Sequence, residues 1–191
     1  FEPETWVFGG EFPMVQWLEA NGYDVTYFTD TDTDRFGALL LNHRVFMSNG
    51  HDEYWSGAQR ANVEAARAAG VHLAFFSANS IYWKVRWENS IDGSGTPYRT
   101  LAWFNAPTGD PDPTTWTGTW RDPRFNPPKD GGRPENELMG TLTTVAGKFY
   151  TAITVPQADG RLRFWRNTAI ANLGPGQTYT LPPGTLGAEI Q

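Results

Sequence analysis

Cysteine is absent from the 191-residue sequence. This absence excludes disulfide bonds, thiolate metal ligands and a cysteine nucleophile, and it leaves the redox compartment open. Histidine is scarce, with three residues in the whole chain. Three histidines cannot supply a three-histidine metal site together with a separate acid/base histidine.

Clusters of positive charge and long apolar runs are also lacking. The formal net charge is −6 and the pI is about 5.0, and no group of Lys or Arg residues interrupts the acidic balance. This composition argues against nucleic acid or an anionic membrane surface as a partner. No apolar run is long enough to span a bilayer, and no signal peptide is recognisable. We therefore expect neither nucleic acid nor a membrane to be bound.

The residues that are present suit one globular domain with long loops. Hydrophobic residues make up 39% of the chain and aromatic residues 15%, and there are 20 Gly and 14 Pro. We expect a single domain over residues 1–191, with a Trp-, Pro- and Gly-rich insertion at about residues 89–140. The interleaved tryptophans favour a packed insertion over disorder. The first residue is Phe1, not Met, which indicates a fragment of a longer chain.

A strand–helix–strand pattern lies in the first half of the sequence. Residues 45–48 form a short apolar run that ends at a turn dipeptide, which predicts a buried strand. Ser56 and Gln59 have the capping-box spacing at the start of a helix, and Gly70 is its stop signal. Residues 71–76 predict a second buried strand. Two buried strands joined by a helix run parallel with a right-handed crossover, which predicts an α/β sheet covered on both faces.

Polar side chains follow both predicted strands. His51 and Glu53 follow the first strand, and Asn79 follows the second. Ligands of open parallel sheets bind beyond the carboxyl ends of the strands, so we expect these side chains to face one site. Imidazole and carboxylate suit zinc, iron or manganese and also acid/base work, but two ligands do not complete a metal site. A solvated loop without chemistry is the alternative.

The acidic run at residues 30–34 resembles the start of a calcium loop. The resemblance fails because Arg35 and Leu41 occupy the positions that need Gly and Glu. We expect a solvated loop there, preceded by a helix from Glu11 and a strand at residues 24–28. Further short strands are predicted at residues 142–145, 150–155, 161–166 and 178–181.

Five sequence strings carry a family resemblance. They are residues 21–25 (NGYDV), 30–35 (DTDTDR), 50–56 (GHDEYWS), 75–79 (FFSAN, followed by Tyr82 and Trp83) and 183–187 (PGTLG). Together they resemble the C-terminal domain of the large, or beta, subunit of N,N-dimethylformamidase and its relatives, over nearly the whole chain. The resemblance implies a three-layer parallel-sheet α/β domain of the glutamine-amidotransferase-like, flavodoxin-like kind.

The same resemblance implies an activity and a metal. The characterised amidase hydrolyses dimethylformamide to dimethylamine and formate at a mononuclear Fe(3+) held by two tyrosines and one glutamate. Glu53 matches the iron-ligating glutamate, His51 the nearby histidine, and Asn79 the asparagine that faces the substrate. Glu189 matches a further glutamate close to the metal, although Ala188 and Ile190 flank it where relatives place aromatics.

The resemblance leaves the metal site incomplete in this sequence. The two tyrosine ligands belong to a region upstream of the residues given, and Tyr54 is expected to point away from Glu53. A small amide substrate, a small subunit and homo-oligomerisation are the implied partners. Two alternatives remain. One is a catalytically inactive interaction module on the same scaffold, and the other is a sugar-binding module in which Trp116 and Trp120 line a groove.

Overall fold

Helices and small sheets of mixed strand direction make up the fold, so the broad α/β prediction is confirmed. The computed structural model describes residues 6–104, 109–112, 114–125, 128–146, 152–183 and 189–190. The chain divides into two compact units, residues 1–142 and residues 143–191. Among the described residues, no helix has the length and apolar character needed to cross a membrane.

The first unit begins with a π-helical turn, Trp6–Glu11, and has a 3-10 helix at Gly37–Asn42. Its α-helices are α1 (Phe12–Ala20), α2 (Asp30–Arg35), α3 (Gly57–Ala68) and α4 (Asn136–Met139). Its strands are β1 (Val45–His51), β2 (Tyr54–Ser56), β3 (His72–Ala78), β4 (Trp83–Glu88), β5 (Thr100–Ala102) and β6 (Gly118–Thr119).

The second unit contains short elements. These are β7 (Val145–Ala146), β8 (Thr154–Pro156), α5 (Gln157–Gly160), 3-10 helices at Arg163–Trp165 and Ala169–Asn172, β9 (Thr178–Thr180) and β10 (Glu189–Ile190). Strand β8 pairs antiparallel with β9, and β10 with β7. The predicted strand at residues 178–181 is confirmed. The strand predicted at residues 161–166 is wrong, because Arg163–Trp165 is a 3-10 helix.

Strands β1 and β3 form the parallel pair that the sequence predicts. The register runs from Val45 opposite His72 to His51 opposite Ala78, and α3 lies between the two strands in the chain. Parallel neighbours cannot be joined by a tight turn, so the helical connection is required. The strand–helix–strand prediction is therefore confirmed.

Helix α3 starts where its sequence signal predicts. The hydroxyl of Ser56 accepts a hydrogen bond from the backbone N–H of Gln59 at 3.0 Å, and the Gln59 side chain accepts one from the Ser56 N–H at 3.4 Å. Val63 and Ala66 are buried on its inner face. The chain leaves the helix at Gly70, which has a φ of +99°. A residue with a Cβ adopts that backbone conformation only at a cost, so glycine suits the stop.

The insertion after β4 is packed into the core of the first unit. Strands β5 and β6 pair antiparallel with β4, while β2 pairs with β4 in parallel. Trp116 stacks on Phe125 with ring centroids 4.0 Å apart. Trp116 and Trp120 are 5% and 0% exposed. The prediction of a packed insertion is confirmed, but the suggestion that these two tryptophans line a sugar-binding groove is wrong, since both are buried.

Two predictions near α2 are wrong. Residues 24–28 lie outside helices and strands, and the rings of Tyr23 and Tyr27 are both 55% exposed. The acidic run forms α2 instead of a loop. Thr29 caps that helix, because its hydroxyl accepts a hydrogen bond from the Asp32 N–H while the Asp32 carboxylate accepts one from the Thr29 N–H, both at 3.1 Å.

Candidate functional site

The carboxyl ends of β1 and β3 meet at one edge of their sheet. His51, the last residue of β1, lies opposite Ala78, the last residue of β3. Asn79 follows with a φ of +54°, in the left-handed region. Asparagine tolerates that region better than most residues because its short polar side chain bonds locally. The pairing register therefore places His51 and Asn79 on adjoining strand ends.

His51 and Glu53 lie side by side at the carboxyl end of β1. The imidazole Nε2 is 3.9 Å from the nearer carboxylate oxygen of Glu53, and the two side chains are 36% and 17% exposed. This distance allows charge attraction when the imidazole is protonated, but it is too long for a direct hydrogen bond. Both groups are thus close together and within reach of solvent.

Backbone hydrogen bonds fix the connection that carries Glu53. The N–H of Ile81 donates to the carbonyl of Asp52 at 2.9 Å, and the N–H of Trp83 donates to the carbonyl of Glu53 at 2.8 Å. The chain that leaves β3 and enters β4 therefore holds residues 52 and 53 in place. A site supported by strands in this way is more rigid than one on a free loop.

Asp52 has a structural part in the same connection. Its carboxylate accepts hydrogen bonds from the Ser48 hydroxyl at 2.5 Å and from the Trp55 indole N–H at 2.7 Å. Burial raises the pKa of the Asp52 carboxyl, while these two hydrogen bonds act to lower it. Asp52 thus links β1 to β2 through these hydrogen bonds. We therefore assign it a structural role and not a catalytic one.

Tyr54 lies against Glu53. Burial raises the pKa of the Tyr54 phenol, and the negative charge of Glu53 and a side-chain hydrogen bond to Glu53 raise it further. The prediction that Tyr54 points away from Glu53 is wrong. Residues 52 and 53 lie between β1 and β2, outside both strands, so the alternation of side chains along a strand does not apply there.

Two further carboxylates approach this edge, and neither was found from the sequence. The Glu11 side chain lies over Gly50, where an added Cβ would be 2.6 Å from the Glu11 Cγ. Asp30 accepts a hydrogen bond from the Gln59 side chain at 2.9 Å. Burial, followed by the charge of Asp52 and, more weakly, that of Glu11, raises the pKa of Asp30 to about 7.

Only one of these carboxylates had a signal in the sequence. Thr29 and Asp32 have capping-box spacing, which would have placed Asp30 in the first turn of a helix. Glu11 is about 40 residues from Gly50 in the chain, and no local pattern indicates that the two meet. The positive φ of Gly50, +91°, becomes informative only once the backbone is known.

Glu189 belongs to the second unit. It is the first residue of β10 and lies opposite Ala146 of β7. Its neighbour Ala188 and most of the predicted string at residues 183–187 fall outside the described residues. The structure therefore gives the backbone position of Glu189 within its own unit.

Comparisons with known proteins identify a family over nearly the whole chain. The model of the family described as "N,N-dimethylformamidase beta subunit-like, C-terminal" matches residues 2–191. The N,N-dimethylformamidase beta subunits of Paracoccus aminophilus and of an Alcaligenes species are each 30% identical over 81 residues, which is 42% of this chain. The matched segment spans 11% of the length of each of these relatives.

Proposed function

Because the chain belongs to the N,N-dimethylformamidase beta subunit-like, C-terminal family, we propose that it is part of an amidohydrolase that cleaves a small N-substituted formamide or amide. The relatives are named as N,N-dimethylformamidase beta subunits, so dimethylformamide, giving dimethylamine and formate, is the first substrate to test. The observation that supports the proposal is that His51 and Asn79 lie at adjoining strand ends, with the Glu53 carboxylate 3.9 Å from the His51 imidazole.

The finer fold assignment is part of the proposal. We take the chain to be a three-layer, parallel-sheet domain of the glutamine-amidotransferase-like kind. The parallel β1–β3 pair with α3 between its strands supports this, because that unit is the building block of such sheets.

Glu53 is suited to be one ligand of the Fe(3+) ion that the family resemblance implies. The carboxylate lies at the carboxyl edge of the sheet, is partly exposed, and adjoins His51. Within the described ranges, no group of three or more His, Cys, Asp or Glu residues is placed to hold a metal ion. We therefore propose that two tyrosines from sequence beyond this chain complete the ligand set. When bound, ferric iron acts as a Lewis acid toward the amide oxygen and acidifies water.

The residues of this chain have distinct proposed parts in the reaction. Asn79 donates its amide N–H to the substrate oxygen as negative charge develops there, and the left-handed turn after β3 holds it in position. His51 carries a proton between water and the leaving amine. Glu189 is the proposed second proton carrier. A small subunit and self-association are proposed partners, and the name "beta subunit" of the relatives supports an assembly with another subunit.

Turnover of dimethylformamide by the purified protein, with any partner subunit that accompanies it, tests this function. We expect Glu53→Ala to abolish release of dimethylamine and formate, and Asn79→Ala to lower kcat by about 100-fold or more. Glu19→Ala, which removes an exposed carboxylate on α1, is the matched control and should leave turnover unchanged.

The outcomes separate the alternatives. Iron-loaded protein that hydrolyses no formamide would rule out the substrate class. Protein that neither binds iron nor turns over amides would identify the domain as an interaction module on the same scaffold.

A further inference from the structure

A row of aromatic rings starts at the residue beside Glu53. The Tyr54 ring meets Trp103 edge-on with centroids 5.6 Å apart, Trp103 meets Trp83 at 5.1 Å, and Trp83 meets Tyr82 at 4.9 Å. We call Tyr54, Trp103, Trp83 and Tyr82 the aromatic row. Edge-to-face contacts at these separations are the favourable arrangement for packed rings. The row therefore leads away from the candidate ligand Glu53 as a continuous surface.

The backbone fixes the aromatic row in place. Tyr54 and Trp83 lie opposite each other in the parallel β2–β4 pair. Trp103 directly follows β5, which pairs with β4. At the far end, the guanidinium of Arg121 lies 5.0 Å from the centroid of the Tyr82 ring. Since each ring is attached to a paired strand or held by a neighbour, the surface is preformed.

The aromatic row is also open to solvent at the end near Glu53. Tyr54 and Trp103 are 37% and 40% exposed, whereas Trp116 and Trp120 of the same unit are at most 5% exposed. Clustered aromatic surface that remains exposed beside polar groups indicates a binding surface more often than a part of the core. Tyr54 directly follows Glu53 in the chain, and the N–H of Trp83 donates to the carbonyl of Glu53 at 2.8 Å, so the aromatic row begins beside the candidate site.

We propose that the aromatic row is the wall against which the N-substituents of the amide substrate pack, and that it selects amides whose N-alkyl groups are longer than methyl. This inference rests on the proposed amide hydrolysis. A methyl carbon lies about 1.5 Å from its nitrogen, whereas the Tyr54 and Trp103 centroids are 5.6 Å apart. Each further carbon of an N-alkyl chain therefore extends the substrate along the row, and a butyl chain is long enough to span the separation of these two rings.

The test compares kcat/KM for N,N-dimethyl-, N,N-diethyl- and N,N-dibutylformamide in the purified native protein. We expect kcat/KM to rise by about two- to fourfold for each methylene that reaches the row, the upper figure being that of a fully buried methylene. In Trp103→Ala the rise with chain length should disappear. Trp103→Leu, which keeps apolar volume, provides a second variant if the alanine variant unfolds.

A matched control lies on α1. Trp17 is 53% exposed and its ring contacts Tyr23 at 5.4 Å, so Trp17→Ala removes a similar exposed ring outside the aromatic row. It should keep the rise with chain length. Equal kcat/KM for all three formamides in the unaltered protein would overturn the proposal, as would a rise that survives both Trp103 substitutions.

Direct binding separates this inference from the proposed function. The dissociation constants of dimethylformamide and N,N-dibutylformamide are measured by calorimetry, which requires no turnover. Tighter binding of the dibutyl compound that depends on Trp103, without hydrolysis, would support the wall and contradict the amidase. Hydrolysis without any preference in binding would contradict the wall alone and would leave the aromatic row as a contact surface for another polypeptide.

Discussion

Two regions of the first unit hold their charged side chains in opposite ways. In the ion-pair core, Arg60 and Lys84 are 0% and 1% exposed. Arg60 donates to Glu64 at 2.9 Å and Lys84 to Asp130 at 2.8 Å. Each cation also lies over a tryptophan, with Arg60 4.7 Å from the Trp120 centroid and Lys84 4.1 Å from that of Trp116.

The strand-end site at residues 49–54 is different. His51 and Glu53 are partly exposed and 3.9 Å apart, so neither side chain neutralises the other through a hydrogen bond. Buried charge in the ion-pair core is fully paired and serves the fold, whereas charge at the strand ends stays within reach of a ligand. The contrast predicts that substitutions of the charged residues in the core change stability, and that substitutions of His51 and Glu53 change chemistry.

The largest expected effect on stability comes from Asp130→Ala. It leaves the buried ammonium of Lys84 without its carboxylate, and breaking a buried pair in this way costs about 3 kcal/mol or more. Urea unfolding followed by circular dichroism measures the loss. Asp24→Ala, at an exposed carboxylate, should change the unfolding free energy by less than about 0.5 kcal/mol. Equal losses in the two variants would contradict a stabilising role for the buried Lys84–Asp130 pair.

Asp30 makes the stability of the folded protein depend on pH. Its pKa is raised from 3.8 to about 7 in the folded protein, so between about pH 4 and pH 7 the native state binds more protons than the unfolded state. Stability therefore falls as pH rises through that window.

Asp30→Asn tests this dependence, because asparagine keeps the oxygen that accepts the Gln59 hydrogen bond. The variant should be more stable than the unaltered protein at pH 8 and should show a flatter stability profile from pH 4 to pH 8. Thermal unfolding across the pH range measures both. An unchanged slope would mean that Asp30 titrates at its ordinary pKa.

Gly50→Ala should lower the unfolding free energy by a smaller amount, about 1–2 kcal/mol, because a φ of +91° strains any residue with a Cβ. The added Cβ would also press on the Glu11 side chain. The double variant with Glu11→Ala should recover the part of the stability loss that comes from that contact. The part that comes from the backbone φ should remain. Full recovery in the double variant would show that φ contributes nothing.

The sequence predicted the parts of the fold that local signals specify. The Ser56–Gln59 capping box, the stop at Gly70 and the two apolar runs were enough to place β1, α3 and β3. That unit in turn placed His51 and Asn79 at adjoining strand ends, because pairing of parallel strands brings their carboxyl ends to one edge.

The sequence could not predict features that depend on contacts between distant segments. Residues 24–28 have a strand-like composition, but a strand also needs a partner, and that segment pairs with none in the described part of the chain. Nothing in the local sequence separates Asp52 from Glu53 as an acid of the same loop, yet its bonds to Ser48 and Trp55 make it structural. The contact between Glu11 and Gly50, and the contact between Trp103 and Tyr54, likewise join segments far apart in the chain.

The most direct test of the account is the iron content of the purified protein and of Glu53→Gln, measured by atomic emission on samples with matching circular dichroism spectra and unfolding midpoints. We predict that the substitution removes most of the bound iron while the unfolding free energy of the metal-free protein changes by less than about 0.5 kcal/mol. Equal iron in both proteins would contradict the assignment of Glu53 as a ligand.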